Sequence, residues 1–221
     1  MKTRILLLLI LVISFLYACG SDKTTNPTQD CYITIGTQKW MCKNLDVDHY
    51  RNGDPIPNVI DSLIWRNLTT GAWCYYNNDS ALGAIYGKLY NWYAVYDPRG
   101  LAPEGWHVPS DSEWTILTNF LGGDSIAGGK LKEAGFSHWQ SPNTGATDET
   151  GFSALPGGWQ DEYHHGFGEL KYLGCWWSST DTTDWGSVAF FRAMICNDSQ
   201  VYRSRTYYSP VVAYSVRCIK D

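Results

Sequence analysis

The stretch richest in side chains that could do chemistry is GGWQDEYHHGFGEL, residues 157–170. Trp159 and Tyr163 offer flat apolar faces, and Asp161, Glu162, His164 and His165 offer polar partners. Rings that stack on a sugar, with carboxylates accepting its hydroxyl hydrogens, make a glycan site. The same imidazoles and carboxylates could ligate a metal, but adjacent histidines point to opposite sides of a strand, which weakens that reading. Trp159, Asp161, Tyr163 and His164 form the candidate ligand-binding set; the plainer alternative is a glycine-flanked surface loop. The place to look for a cleft is between residues 159–169 and residues 58–79.

Two other stretches invite a chemical reading. GLAPEGWHVPSDSEW, residues 100–114, sets Trp106, His107 and Trp114 around a short acidic run. Pro109 makes the chain arrive extended at Val108. Ser110 with Glu113 three residues on forms a capping box, and Asp111 and Glu113 suit the positive end of a helix. A stiff corner that starts a helix accounts for every residue there, with His107 a hydrogen-bonded structural histidine and the two tryptophans buried. GDSIAGG, residues 123–129, contains Gly-Asp-Ser but no complete nucleophile pattern, and Asp124-Ser125 between glycines reads as a helix break and restart. There is no CxxC, HxxxH, Walker A or dinucleotide glycine motif. No catalytic residue, resident metal or cofactor is assigned.

The thiols need a compartment. An apolar run from Ile5 through Leu16 follows Lys2 and Arg4, too short to span a bilayer but shaped like an export signal. It ends in LYAC, which resembles a bacterial lipobox. Residues 1–18 are therefore expected to be a signal peptide, Cys19 the lipidated residue and residues 19–30 a flexible tether, with residues 31–221 one domain; an ordinary secretory signal with an incidental cysteine is the alternative. The expected location is the cell envelope, at the outer membrane or cell surface. Loss of Lys2 and Arg4 takes the net charge from −5 to −7. With no basic cluster, nucleic acid is not an expected partner; a membrane reached through lipid is.

Six cysteines remain, and an even number in an exported chain points to disulfides, with fifteen pairings possible. One is favoured locally. If Gly36-Thr37 turns the hairpin in CYITIGTQKWMC, Ile35 faces Gln38 and Cys31 faces Cys42. Cys175 and Cys196 flank a second hairpin, which leaves Cys74 and Cys218 for a long-range pair. Buried free thiols remain open for each pair.

These residues need strands first, helices in the middle, then strands again, an α+β chain. Residues 31–42 read as a hairpin, 47–61 as a turn-rich loop and 72–79 as a short strand ending in a turn. Leu89, Trp92, Tyr93 and Tyr96 recur at helical spacing before Pro98 and Gly100. A second helix starts at Asp111, with Trp114 and Leu117 on one face and Gly122-Gly123 at its end. GGKLKEAG reads as a third, short helical turn, and everything from Gly151 onward as strand and loop.

The motifs WMCKNLDVDHYRNGDPIPNV, LTTGAWCYYNND, YGKLYNWYAVYDPRGLAPEGWHVPSDSEWTIL, GFSALPGGW, WWSST and SVRCIKD occur in order and together resemble the Fibrobacter succinogenes major paralogous domain family. Its members are exported, often lipid-anchored proteins of Fibrobacteres and Bacteroidetes. Most of the eleven tryptophans sit in these shared motifs, which implies core. Cys42, and Ala102 where many members carry a cysteine, depart from the family pattern. More distantly, VPSDSEW and the terminal SVRC are similar to the formylglycine-generating, sulfatase-modifying family. That likeness implies a C-type-lectin-like frame: two main helices flanking small antiparallel sheets with long loops. The reactive cysteine pair of those enzymes has no counterpart, since the late cysteines lie more than twenty residues apart. The calcium motifs of C-type lectins are also missing. Three functions follow as expectations. The first is a non-catalytic binding or adhesion module for a glycan or protein. The second is a thiol- or metal-dependent enzyme, and the third a ligand-free structural envelope domain.

Overall fold

The chain enters the domain through the expected hairpin. Gly36 takes a φ of 60°, which L side chains adopt poorly. It turns β1 (Tyr32–Ile35) back onto β2 (Gln38–Met41), with Ile35 opposite Gln38. Cys31 and Cys42, one step beyond the ladder, are 5.6 Å apart at Cα and joined as a disulfide. A computed structural model describes residues 31–161, 166–181, 187–207 and 209–221. The tether, Cys19, Glu162, Tyr163, His164 and His165 lie outside the described residues.

The loop after the hairpin leads to one helical turn, α1 (Ser62–Trp65), capped by the Asp61 carboxylate. The strand expected next is β3 (Trp73–Cys74). An unexpected helix, α2 (Ser80–Tyr86), comes first, and the single helix expected around Leu89 to Tyr96 is two pieces instead: β4 (Leu89–Asn91) and α3 (Trp92–Val95). Tertiary pairing overrides the local pattern. Leu89 and Tyr90 pair with β3, while Tyr90 and Asn91 pair with β11 (Ala213–Tyr214) on the other side. The Asn91 side chain then accepts from the amides of Ala72 and Ala94, each at 3.0 Å, so one residue ends the strand and caps the next turn.

The two longest helices are where the sequence puts helix. α4 (Asp111–Phe120) starts at Ser110, and α5 (Asp124–Leu131) follows the Gly122-Gly123 joint. α5 begins four residues before the expected third turn, at the Asp124-Ser125 restart. The strands form three sheets, and their named ladders are antiparallel. β5 (Trp106–His107) and β12 (Ile219–Lys220) join the first hairpin in the order β1-β2-β12-β5. β8 (Leu173–Asp181), β9 (Ser187–Ile195) and β10 (Tyr202–Tyr207) make a second sheet in the order β10-β9-β8. β6 (Trp159–Asp161) and β7 (Gly166–Gly168) complete the third, ordered β3-β4-β11-β6-β7. The architecture is α+β.

The β8-β9 ladder separates two apolar cores, because alternate residues point to opposite faces. Trp176 and Met194 pack with Trp40, Trp114, Leu117 and Leu131 under the helices. Trp177 and Ala193 pack with Tyr90, Trp92 and Tyr214 on the other side. Buried cations tie loops to these cores. The Lys132 ammonium donates to the carbonyls of Thr144, Ile195 and Asp198 at 2.7–3.0 Å. The Arg217 guanidinium donates to the carbonyls of Met41 and Phe152 and to the Asn44 amide oxygen.

The same alternation corrects two disulfide expectations. Cys74, Cys175, Cys196 and Cys218 are buried free thiols. Cys175 stands opposite Ala193, whereas Cys196 donates its amide to Tyr172, so the two cysteines are an odd number of positions apart along the ladder. Cys175 faces the Trp177 core and Cys196 the Trp176 core. Cys74 packs beside Trp65 and Leu89, while Cys218 lies in the Trp177 core, so these two occupy different clusters as well. Each serves as a small apolar side chain.

Candidate functional site

The corner at residues 100–114 is fully occupied with its own structure. Ser110 Oγ accepts from the Glu113 amide at 3.2 Å, and Glu113 Oε2 accepts from the Ser110 amide at 2.7 Å. The other Glu113 oxygen meets His107 Nε2 at 2.8 Å, and His107 Nδ1 meets Asp221 Oδ1 at 2.7 Å. Burial pulls the His107 pKa down, but hydrogen bonds to Asp221 and Glu113 outweigh it, leaving the pKa above the ordinary 6.5. Asp111 is gripped by Arg192 at 2.7 Å and by Arg203 at 2.9 Å. Trp106 and Trp114 are buried. Each of these polar side chains has a partner, as the capping-box reading requires.

The β6-β7 hairpin is different. Gly158 lets the chain enter it with a φ of 66°, and a Cβ there would stand 2.3 Å from the Gly168 carbonyl oxygen. Along β6 the side chains alternate, so Trp159 and Gln160 serve opposite faces. Each face has a cleft.

The Trp159 face borders an aromatic cleft of about 320 Å³ on the second sheet. Its floor follows from register. Cys175, Ala193 and Tyr202 are opposite one another across three strands, as are Trp177, Phe191 and Ser204. Residues in such a row share a face. The small Cys175 and Ala193 leave a hollow, and Trp159, Phe191, Tyr202 and Tyr214 wall it. Phe191 and Tyr214 hold each other with ring centroids 4.7 Å apart. Tyr202 is fixed by a 2.5 Å hydrogen bond from its hydroxyl to Asp198.

The Gln160 face borders a cleft of about 330 Å³ lined by Ser62, Trp65, Asn77, Asn78, Gln160 and Phe167 among others. It lies between residues 59–78 and the β6-β7 hairpin, the place the sequence indicated. Phe167 packs on Tyr76 with centroids 5.2 Å apart.

Of the candidate ligand set, Trp159 lines the aromatic cleft and Asp161, two residues on, shares its side of β6. Tyr163 and His164 fall outside the described residues. Sequence reasoning missed Phe191, Tyr202 and Tyr214, and it missed Gln160. The signal for Phe191 was a strand face reading Ala189, Phe191, Ala193, Ile195, where small residues interrupt large ones; Tyr202 and Tyr214 reach the cleft from other strands. Gln160 carried no signal, because a glutamine between Trp159 and Asp161 in a polar stretch looks solvated. Among the described residues, no group of three or more His, Cys, Asp or Glu could hold a metal, and no helix is long and apolar enough to cross a membrane.

These features define an α+β domain in which a hairpin strand carries a cleft on each face. The chain belongs to the Fibrobacter succinogenes major domain family, whose sequence pattern matches residues 33–220. No curated protein and no solved structure matches it.

Proposed function

We propose that the protein is an exported, non-catalytic binding or adhesion module. It is lipid-anchored through Cys19 in the cell envelope, at the outer membrane or cell surface. A glycan or protein ligand seats an apolar face in the cleft beside Trp159. A C-type-lectin-like frame belongs to this reading, supported by two main helices beside small antiparallel sheets and by first and last strands that share a sheet. The observation that carries the function is the aromatic cleft itself, a hollow of ligand size with four rings around a floor of small residues.

Burial speaks against the thiol-enzyme alternative. It pushes the Cys74 and Cys175 thiols well up, and Cys218 to about 12, so little thiolate forms to attack anything. The test is a glycan array and an insoluble-polysaccharide pull-down with the full chain. Trp159→Ala and Ala193→Leu should each weaken captured binding at least tenfold, the first by removing a wall and the second by filling the hollow. Binding untouched by both would remove the cleft from the function.

A further inference from the structure

We propose that the cleft on the Gln160 face is a second ligand site, built for a neutral, polyhydroxylated ligand of mono- or disaccharide size whose hydroxyl donates to Gln160 Oε1. The proposal does not depend on the aromatic cleft. Gln160 is 4% exposed, and its Oε1 has no hydrogen-bond partner among the described residues. A buried acceptor without a donor is costly, and native structures keep few of them. The oxygen itself is covered, but its residue lines an open cleft, so a turn of the Gln160 side-chain amide would bring it to a ligand hydroxyl there.

Three further observations narrow the ligand. Among the described residues, no Asp, Glu, Lys, Arg or His lines the cleft, so none of them balances an anion, a cation or a metal. The polar groups are neutral amides and one hydroxyl, from Asn77, Asn78, Gln160 and Ser62, which suit hydroxyl groups as both donors and acceptors. Phe167 adds ring surface for the apolar face of a sugar, backed by the buried Trp65.

The rim is also held in an uncommon conformation. Asn77 and Asn78 have φ of 52° and 56°, consecutive left-handed residues at the mouth of the cleft. Such backbone costs energy and concentrates at ligand sites. The Asn78 amide is spent on the Ile60 carbonyl at 3.3 Å, while the Asn77 amide makes no hydrogen bond among the described residues. The cleft's 330 Å³ sits at the small end of ligand sites, roughly 300–1,000 Å³, which favours a short saccharide over a long chain.

The experiment is calorimetric titration of the full chain with cellobiose, xylobiose, maltose and diacetylchitobiose, with galacturonic acid as the charged comparison. At least one neutral disaccharide should bind saturably and galacturonic acid should not. Gln160→Met keeps the shape but removes the acceptor. It should weaken that binding at least tenfold while leaving the melting temperature unchanged or higher, since a buried unpaired oxygen is gone. Asn77→Gly relaxes the left-handed backbone and removes the free amide. It should weaken binding with no loss of melting temperature, and it serves if the first variant does not fold. The proposal is overturned if no neutral disaccharide binds, or if Gln160→Met lowers the melting temperature and leaves affinity unchanged. A titration lost in Trp159→Ala but kept in Gln160→Met would overturn it too, by placing the sugar in the other cleft.

Discussion

The corner around Ser110 and the strand around Gln160 are both rich in polar and aromatic side chains, yet they end in opposite states. At the corner, Ser110, Glu113, His107, Asp221 and Asp111 close on one another and on two arginines. On β6, Gln160 keeps a buried acceptor without a donor among the described residues, and Trp159 stands at the wall of a hollow. A polar group that finds its partner inside the chain supports the fold. One that lacks a partner beside a cleft is available to something else. On this comparison the conspicuous acidic-aromatic corner is scaffold, and the modest strand β6 is where we propose the ligand binds.

That contrast can be broken from the scaffold side, where stability should fall while binding to surviving folded protein is kept. Trp114→Ala should have the largest effect. Its ring is fully buried, 4.8 Å from Trp40 and 6.1 Å from Phe152 between centroids. Removing it should cost about 3–5 kcal/mol in urea denaturation. Replacing Cys31 and Cys42 by alanine together should cost about 2–3 kcal/mol, because their disulfide closes a short loop with a sequence separation of 11. A loss far smaller than this would mean the β1-β2 ladder already restricts the unfolded chain.

Glu113→Ala should cost about 1–2 kcal/mol, since it opens the capping box and takes one carboxylate from His107. The smallest effect is on pH dependence. The His107 pKa lies above 6.5, so the stability its charge confers is complete below pH 6.5. That stability fades as the pH rises through the folded value. Glu113 lies below its ordinary 4.5; burial opposes this, but the Ser110 amide and His107 prevail, so its contribution fades as pH falls through the folded value. Melting temperature followed from pH 6 to 8 should decline, and His107→Gln should flatten that decline. Because His107 is partly exposed, the difference should stay under about 1 kcal/mol. Identical slopes would show that the corner histidine carries no charge.

The contrast also marks what a sequence can express. The first hairpin, its disulfide, the capping box and α4 depend on residues a few positions apart, and local chemistry specified them. Leu89 to Tyr96 had helical spacing, but strands from both flanks claim Leu89 to Asn91, and that competition is not written in the segment itself. Cys175 and Cys196 flank a hairpin as expected, yet ladder parity turns them to opposite faces. The aromatic cleft depends on cross-strand rows in which Cys175 meets Ala193 and Ala193 meets Tyr202. Register across three strands is a tertiary fact, so only Trp159 of its wall was visible beforehand.

The most direct test of β6 as the binding strand pairs two readings on two variants, Gln160→Met and Glu113→Ala: melting temperature, and disaccharide affinity by calorimetry. The account predicts a crossed result. Gln160→Met keeps or raises its melting temperature and loses at least tenfold in affinity, whereas Glu113→Ala melts earlier and binds like the unaltered chain. If Gln160→Met melts earlier with affinity intact, while Glu113→Ala loses affinity at an unchanged melting temperature, the roles assigned to the strand and the corner are reversed.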